Sequence, residues 1–193
     1  MEIEKILLEE LLAFLPIYIT LKGNCTLIYT KNGREREIEK GIRSVLNQLS
    51  KYYFMDLKEV KKTYGNLLCS KNLVPIPFNK DNVFIPVKTR KPMYKNDGAI
   101  GYVNINHINK TTKLNNMSII HLTNGKKIQC LNSLETVNKH INNGHIVKKL
   151  YEDKQTITLR DGYSFYAEYD RPATKGDIAL LRREILEIKE TIR

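Results

Sequence analysis

Two Asn-Gly pairs constrain this chain more than any other feature. Asn32-Gly33 and Asn124-Gly125 each lie between short segments rich in Ile, Leu, Tyr and Thr. Both residues of such a pair accept positive φ, so the pair closes a tight antiparallel hairpin whose twist matches its strands. Setting Gly33 against Gly125 also aligns Leu27 with Ile119, Ile28 with Ile120, Ile42 with Leu134, Val45 with Val137 and Leu49 with Ile141. Each half then reads strand, turn, strand, helix. A third turn, Asp161-Gly162, predicts another hairpin within QTITLRDGYSFYAEY. The fold class expected is α+β: short antiparallel strands and hairpins, two internal helices, and a helix at each terminus.

The helices follow from 3.6-residue spacing. EIEKILLEELLAF places Ile3, Ile6, Leu7, Leu11 and Phe14 on one face, and Pro16 limits its extension. EKGIRSVLNQLSKYY turns Ile42, Val45, Leu46 and Leu49 inward. SLETVNKHI is the second internal helix, with Ser133 or Asn132 as its N-cap. LKEVKKTYG reads as a helical turn or a loop. Near the C-terminus Ile178, Leu181, Ile185, Ile188 and Ile192 repeat at alternating steps of three and four. That stripe suits a self-association helix, hence a homo-oligomer.

Four of the six prolines fall at positions 75, 77, 86 and 92. Proline cannot donate to a β-ladder, so this region is expected to form edge strands or extended arms. Its end, VFIPVKTRKP, joins an apolar run to Lys88, Arg90 and Lys91.

The formal net charge is +11. The excess is concentrated: Lys58 to Lys95 holds nine Lys or Arg against two acids. Clustered cations are the footprint of a polyanionic partner, nucleic acid before an anionic membrane surface. Three widely spaced cysteines suit a reducing cytoplasm and not a disulfide framework. No apolar run approaches the ~20 residues of a membrane span, and the acidic start lacks the basic end of a secretory signal.

Catalytic patterns are missing. There is no GxxxxGK[ST], GxGxxG or GxSxG, and the four histidines and three cysteines show no metal-ligand spacing. The expectation is a binding protein, with no enzyme activity, cofactor or metal. Lys58, Lys61, Lys62, Lys88, Arg90, Lys91 and Lys95 would contact phosphates. Asn104 and Asn106, on the polar side of GYVNINHI, would reach base edges or phosphates. A single-stranded RNA partner stacking on Tyr52, Tyr53 or Phe54 is a second reading. A protein-interaction regulator acting through the terminal helices is a third.

The succession GNCTLIYTKNG, KYYFMDLKEVKKTYG, LVPIPFNKDNVFIPVKTRKP, AIGYVNINHI and SIIHLTNGKKI resembles the ComK family of bacterial competence transcription factors. The likeness covers roughly Pro16 to Lys149. It implies a cytoplasmic activator that binds AT-rich duplex DNA, largely through the minor groove, as an oligomer. It further implies contact with RNA polymerase and control by a proteolytic adaptor. On this reading the chain divides into an N-terminal helix (1–15), a DNA-binding core (16–150) and a C-terminal hairpin with its association helix (151–193). A fainter likeness joins GNCTLIYTKNGREREIEKGIRSVLNQL and GYVNINHI with TNGKKI to LytTR-type DNA-binding domains.

Overall fold

Two antiparallel sheets and three helices make up the described chain. A computed structural model describes residues 10–70, 72–94 and 97–169, with side chains described to residue 153. The strands are β1 (Leu11–Ile19), β2 (Gly23–Thr30), β3 (Glu35–Ile38), β4 (Ile76–Pro77), β5 (Val83–Lys88), β6 (Ile100–Asn104), β7 (Ile108–Leu114), β8 (Met117–Leu122) and β9 (Lys127–Cys130). The helices are α1 (Ile42–Tyr52), α2 (Leu57–Leu67) and α3 (Leu134–Tyr169). Strand order is β3-β2-β1-β6-β5-β4 in one sheet and β7-β8-β9 in the other. A short 3-10 turn, Ile105–His107, carries the chain from the first sheet to the second.

The residue alignment of the two halves reappears as a structural repeat. The offset that carries Gly33 onto Gly125 carries β3 onto β9 end for end, and the start of α1 onto the start of α3. Both turn glycines take positive φ, 79° and 84°. Thr26 Oγ1 donates to Lys40 O at 2.7 Å, and Ser118 Oγ, at the same offset, donates to Asn132 O at 3.0 Å. Each bond pins the strand-to-helix corner of its half. The two turns also meet: Asn124 Nδ2 donates to Thr30 O at 3.0 Å, and Lys126 pairs with Glu35 at 2.7 Å.

The core has two parts because the large sheet is covered on both faces. On one face Phe14, Ile28, Ile38 and Phe84 pack against Ile42, Val45, Leu46 and Leu49 of α1. On the other, Val83, Ile85, Val87 and Val103 meet Ile120, Leu122 and Ile128 of the small sheet and Val137 and Val147 of α3. Gly144 lets α3 come close; a Cβ there would stand 2.7 Å from both Ile85 and Ile105.

Three expectations change. Leu11 to Phe14, expected to end an N-terminal helix, begin β1; residues 1–9 of that helix lie outside the described residues. These positions are buried on both sides, so apolar residues follow one another and imitate helical spacing. The hairpin expected around Asp161-Gly162 is instead the continuation of α3. A lone hairpin is marginal, whereas each residue added to a formed helix gains a bond without a new nucleus. The third is narrowed: of the edge strand or arm expected for VFIPVKTRKP, the strand is what forms, with Val83 to Val87 buried in β5. Pro86 fits there because β4 reaches only Val83 and Phe84, so Pro86 has a strand neighbour on one side alone.

His140 of α3 is buried at 8% exposure, and neither ring nitrogen has a hydrogen-bond partner. Burial first, and Lys139 second, hold its pKa below the ordinary value of 6.5. The unfolded chain therefore takes up a proton more readily than the folded one. This stability contribution is intact above about pH 6.5 and falls as pH drops below it. We expect the thermal midpoint to decline on acidification, with a shallower decline in His140→Leu. An identical decline in that variant would remove His140 as a cause.

Candidate nucleic-acid interface

The start of the basic segment lies at a cleft. α2 begins at Asp56, whose carboxylate accepts from the Lys58 and Glu59 N–H groups at 2.7 and 3.3 Å. This N-cap, absent from the sequence reading, turns LKEVKKTYG into a full helix. Lys58 and Lys61 lie one turn apart on it, both exposed. With Arg43 of α1 they line a cleft of about 530 Å³, floored by Ile42, Leu46, Leu57, Ile100 and Tyr102. Asp97, Gly98 and Ala99 form the remaining wall. Gly98 is required at that approach, since a Cβ would meet Ile42 Cγ2 at 2.4 Å.

Among the described residues Asp97 is the one carboxylate lining the cleft, and it is hydrogen-bonded. It accepts from the Met93 and Tyr94 N–H groups at 3.0 and 2.9 Å and from Asn24 Nδ2 at 3.3 Å. Tyr102 stacks on Phe14 with ring centroids 4.9 Å apart. Burial pushes its hydroxyl pKa up to about 12, so it remains a neutral donor across the physiological range. The cleft thus presents three cations, the Asn47 amide, one neutral hydroxyl and the Asp97 carboxylate over an apolar floor. That chemistry suits an anionic group attached to a planar or apolar body.

The other expected site residues distribute as follows. Lys62 is exposed on α2, in a loose 4.0 Å pair with Glu59. Lys88 is exposed at the end of β5, where its N–H donates to Asn132 Oδ1 at 2.7 Å. Lys91 is exposed. Arg90 is half-buried: its Nε donates to Gly98 O at 2.6 Å and its Nη2 to Asn24 Oδ1. Its guanidinium thus ties Gly98 of the cleft wall to Asn24 of β2. Asn104 has no exposed surface and cannot contact DNA. Its Nδ2 donates to Asp81 O at 3.1 Å and its Oδ1 accepts from the Asn106 N–H at 3.1 Å. Asn106 is exposed yet engaged, donating to Asp81 O and accepting from Lys148 Nζ, both at 2.8 Å. Lys95 and the stripe Ile178, Leu181, Ile185, Ile188 and Ile192 lie outside the described residues.

Arg43 was missed because it precedes the concentrated window. Its signal was available as the cation beside Ile42 on the polar face of α1. A second signal was also passed over: from Gly98 to Leu134 the chain contains no Asp or Glu at all.

Asn104→Ala should lower stability by about 1–3 kcal/mol, the cost of leaving buried partners unpaired, without changing duplex affinity of the folded protein. Weaker binding at unchanged stability would return Asn104 to the interface.

Among the described residues no helix is long and apolar enough to cross a membrane, and no three or more His, Cys, Asp or Glu side chains gather as metal ligands. No family model, curated protein or solved structure matches this chain.

Proposed function

We propose that this protein is a DNA-binding transcriptional regulator of the competence-factor type. It grips AT-rich duplex through the phosphate backbone and acts as an oligomer from the cytoplasm. The observation that carries the reading is the convergence of Arg43, Lys58 and Lys61 on one cleft that, among the described residues, has a single carboxylate, Asp97, turned to two backbone N–H groups. Exposed Lys62, Lys88 and Lys91 extend the basic surface from the same segment of chain. The function is binding, without a catalytic step. The stripe from Ile178 to Ile192 supplies self-association, and RNA polymerase and a proteolytic adaptor are the further partners that the ComK likeness implies.

A single-stranded nucleic acid is the second reading, favoured by one observation. Phe54 is 99% exposed and Tyr52 46% exposed at the end of α1, where bases could stack. Competition between labelled AT-rich duplex and unlabelled single-stranded RNA decides between the two. Duplex that persists against excess RNA supports the first reading. Displacement by RNA, with loss in a Tyr52→Ala, Phe54→Ala variant, supports the second. Retention of neither overturns both.

A further inference from the structure

The acid-free stretch from Gly98 to Leu134 contains the whole of the small sheet. One face of that sheet is spent on the core through Ser118, Ile120, Leu122, Ile128 and Cys130. The opposite face is polar and accessible. Its register places Lys110 opposite His121, and His121 opposite Lys127. Strands stand about 4.8 Å apart, so the three side chains form one transverse row. The next row on that face is Thr112, Ile119 and Gln129. Thr112 Oγ1 lies 2.9 Å from His121 Nε2 and steadies the ring. Lys110 and Lys127 are exposed. Neighbouring Lys126 is different, being paired with Glu35.

Lys110 and Lys127 stand two strands apart, about 9.6 Å, on either side of His121, and this row contains no acid to offset their charge. Such a row is stabilised when an external anion crosses it. We propose that the outer face of β7, β8 and β9 binds the phosphodiester backbone of nucleic acid, with Lys110 and Lys127 flanking His121, and that the grip tightens when His121 takes up a proton. The choice of polyanion rests on the DNA-binding reading above; the residues are separate from those of the cleft.

The proton linkage follows from what faces His121. Lys110 of β7 and Lys127 of β9 stand on either side, the Thr112 hydroxyl touches it, and no carboxylate occurs in the three strands. Desolvation and these two lysines hold the imidazole below its ordinary pKa. A phosphate laid across the row reverses the local sign and favours the imidazolium. Binding therefore takes up a proton, and affinity rises as pH falls.

The test is titration of a short fluorescent duplex with full-length protein over a salt series, at about pH 6 and about pH 8, either side of the ordinary histidine range. We compare wild type, K110Q/K127Q, H121Q and the cleft variant R43Q/K58Q/K61Q. The expected results are binding about three- to six-fold tighter at the lower pH, the part of a one-unit pKa rise that is expressed at a pH near the free value; loss of that difference in H121Q; and a salt slope shallower by about 1.8 in K110Q/K127Q. The imidazole resonances of wild-type His121 should titrate at higher pH with duplex than without, a readout that needs no variant. Unchanged pH dependence and salt slope in both sheet variants would overturn the proposal while leaving the cleft in place. Loss confined to the sheet variants would overturn the cleft instead. No duplex binding by wild type would overturn both.

Discussion

Replacing Arg43, Lys58 and Lys61 together by glutamine should weaken duplex binding by about 10²–10³-fold near 0.1 M salt, the combined effect of three lost phosphate contacts. The fold should survive. All three side chains are exposed, and each glutamine keeps the two methylenes nearest the backbone, over the apolar floor of the cleft. Lys62→Gln and Lys91→Gln, outside the cleft lining, should each have a much smaller effect. Unfolding midpoints measured beside the affinities separate a binding loss from a folding loss. A triple variant that binds as tightly as wild type would remove the cleft from the interface.

The largest stability effect should come from Phe84→Ala. Phe84 is 1% exposed, and its ring centroid stands 5.3 Å from that of Phe14 and 5.8 Å from that of Phe78. Phe14 in turn stacks on Tyr102, and Phe78 on Tyr53 at 5.0 Å. One residue thus sits in the middle of an aromatic row that joins β5, β1 and β6 beneath α1. Truncation should cost about 3–5 kcal/mol, from lost transfer energy and the cavity left behind. That is a large share of the 5–15 kcal/mol of a typical domain. Chemical denaturation of the two proteins measures it directly. A loss below about 1 kcal/mol would mean that this face of the sheet collapses around the gap. Tyr102 also floors the cleft, so the same variant should weaken binding in proportion to the unfolded fraction and no further.

What could be read from the residues depended on whether their causes were local. The Asn-Gly turns and the helix that follows each are local, and the alignment of Gly33 with Gly125 led to the duplicated unit. Proline positions marked an edge at β4 and again at Pro86 of β5, which has a strand neighbour on one side alone. The first half of β1 was read as helix, since a strand covered on both faces shows no alternation, while its second half, from Pro16, was legible as strand. α2 was legible in principle from Asp56 and was cut short by reading past that cap. The site was legible as charge and not as geometry. Lys58 and Lys61 were found because cations cluster in sequence. The fully buried place of Asn104 and the hydrogen bonds of Arg90 were not legible because their partners, Asp81, Asn24 and Gly98, come from distant segments that only the fold brings near.

The central claim is that a basic surface built around the Arg43, Lys58 and Lys61 cleft binds duplex DNA through its phosphates. Its most direct measurement is the salt dependence of wild-type affinity for an AT-rich duplex. Three cleft contacts alone predict a slope of about −2.7 in the plot of log K against log salt, and additional contacts steepen it. A slope near zero, or no binding at low salt, would contradict the claim.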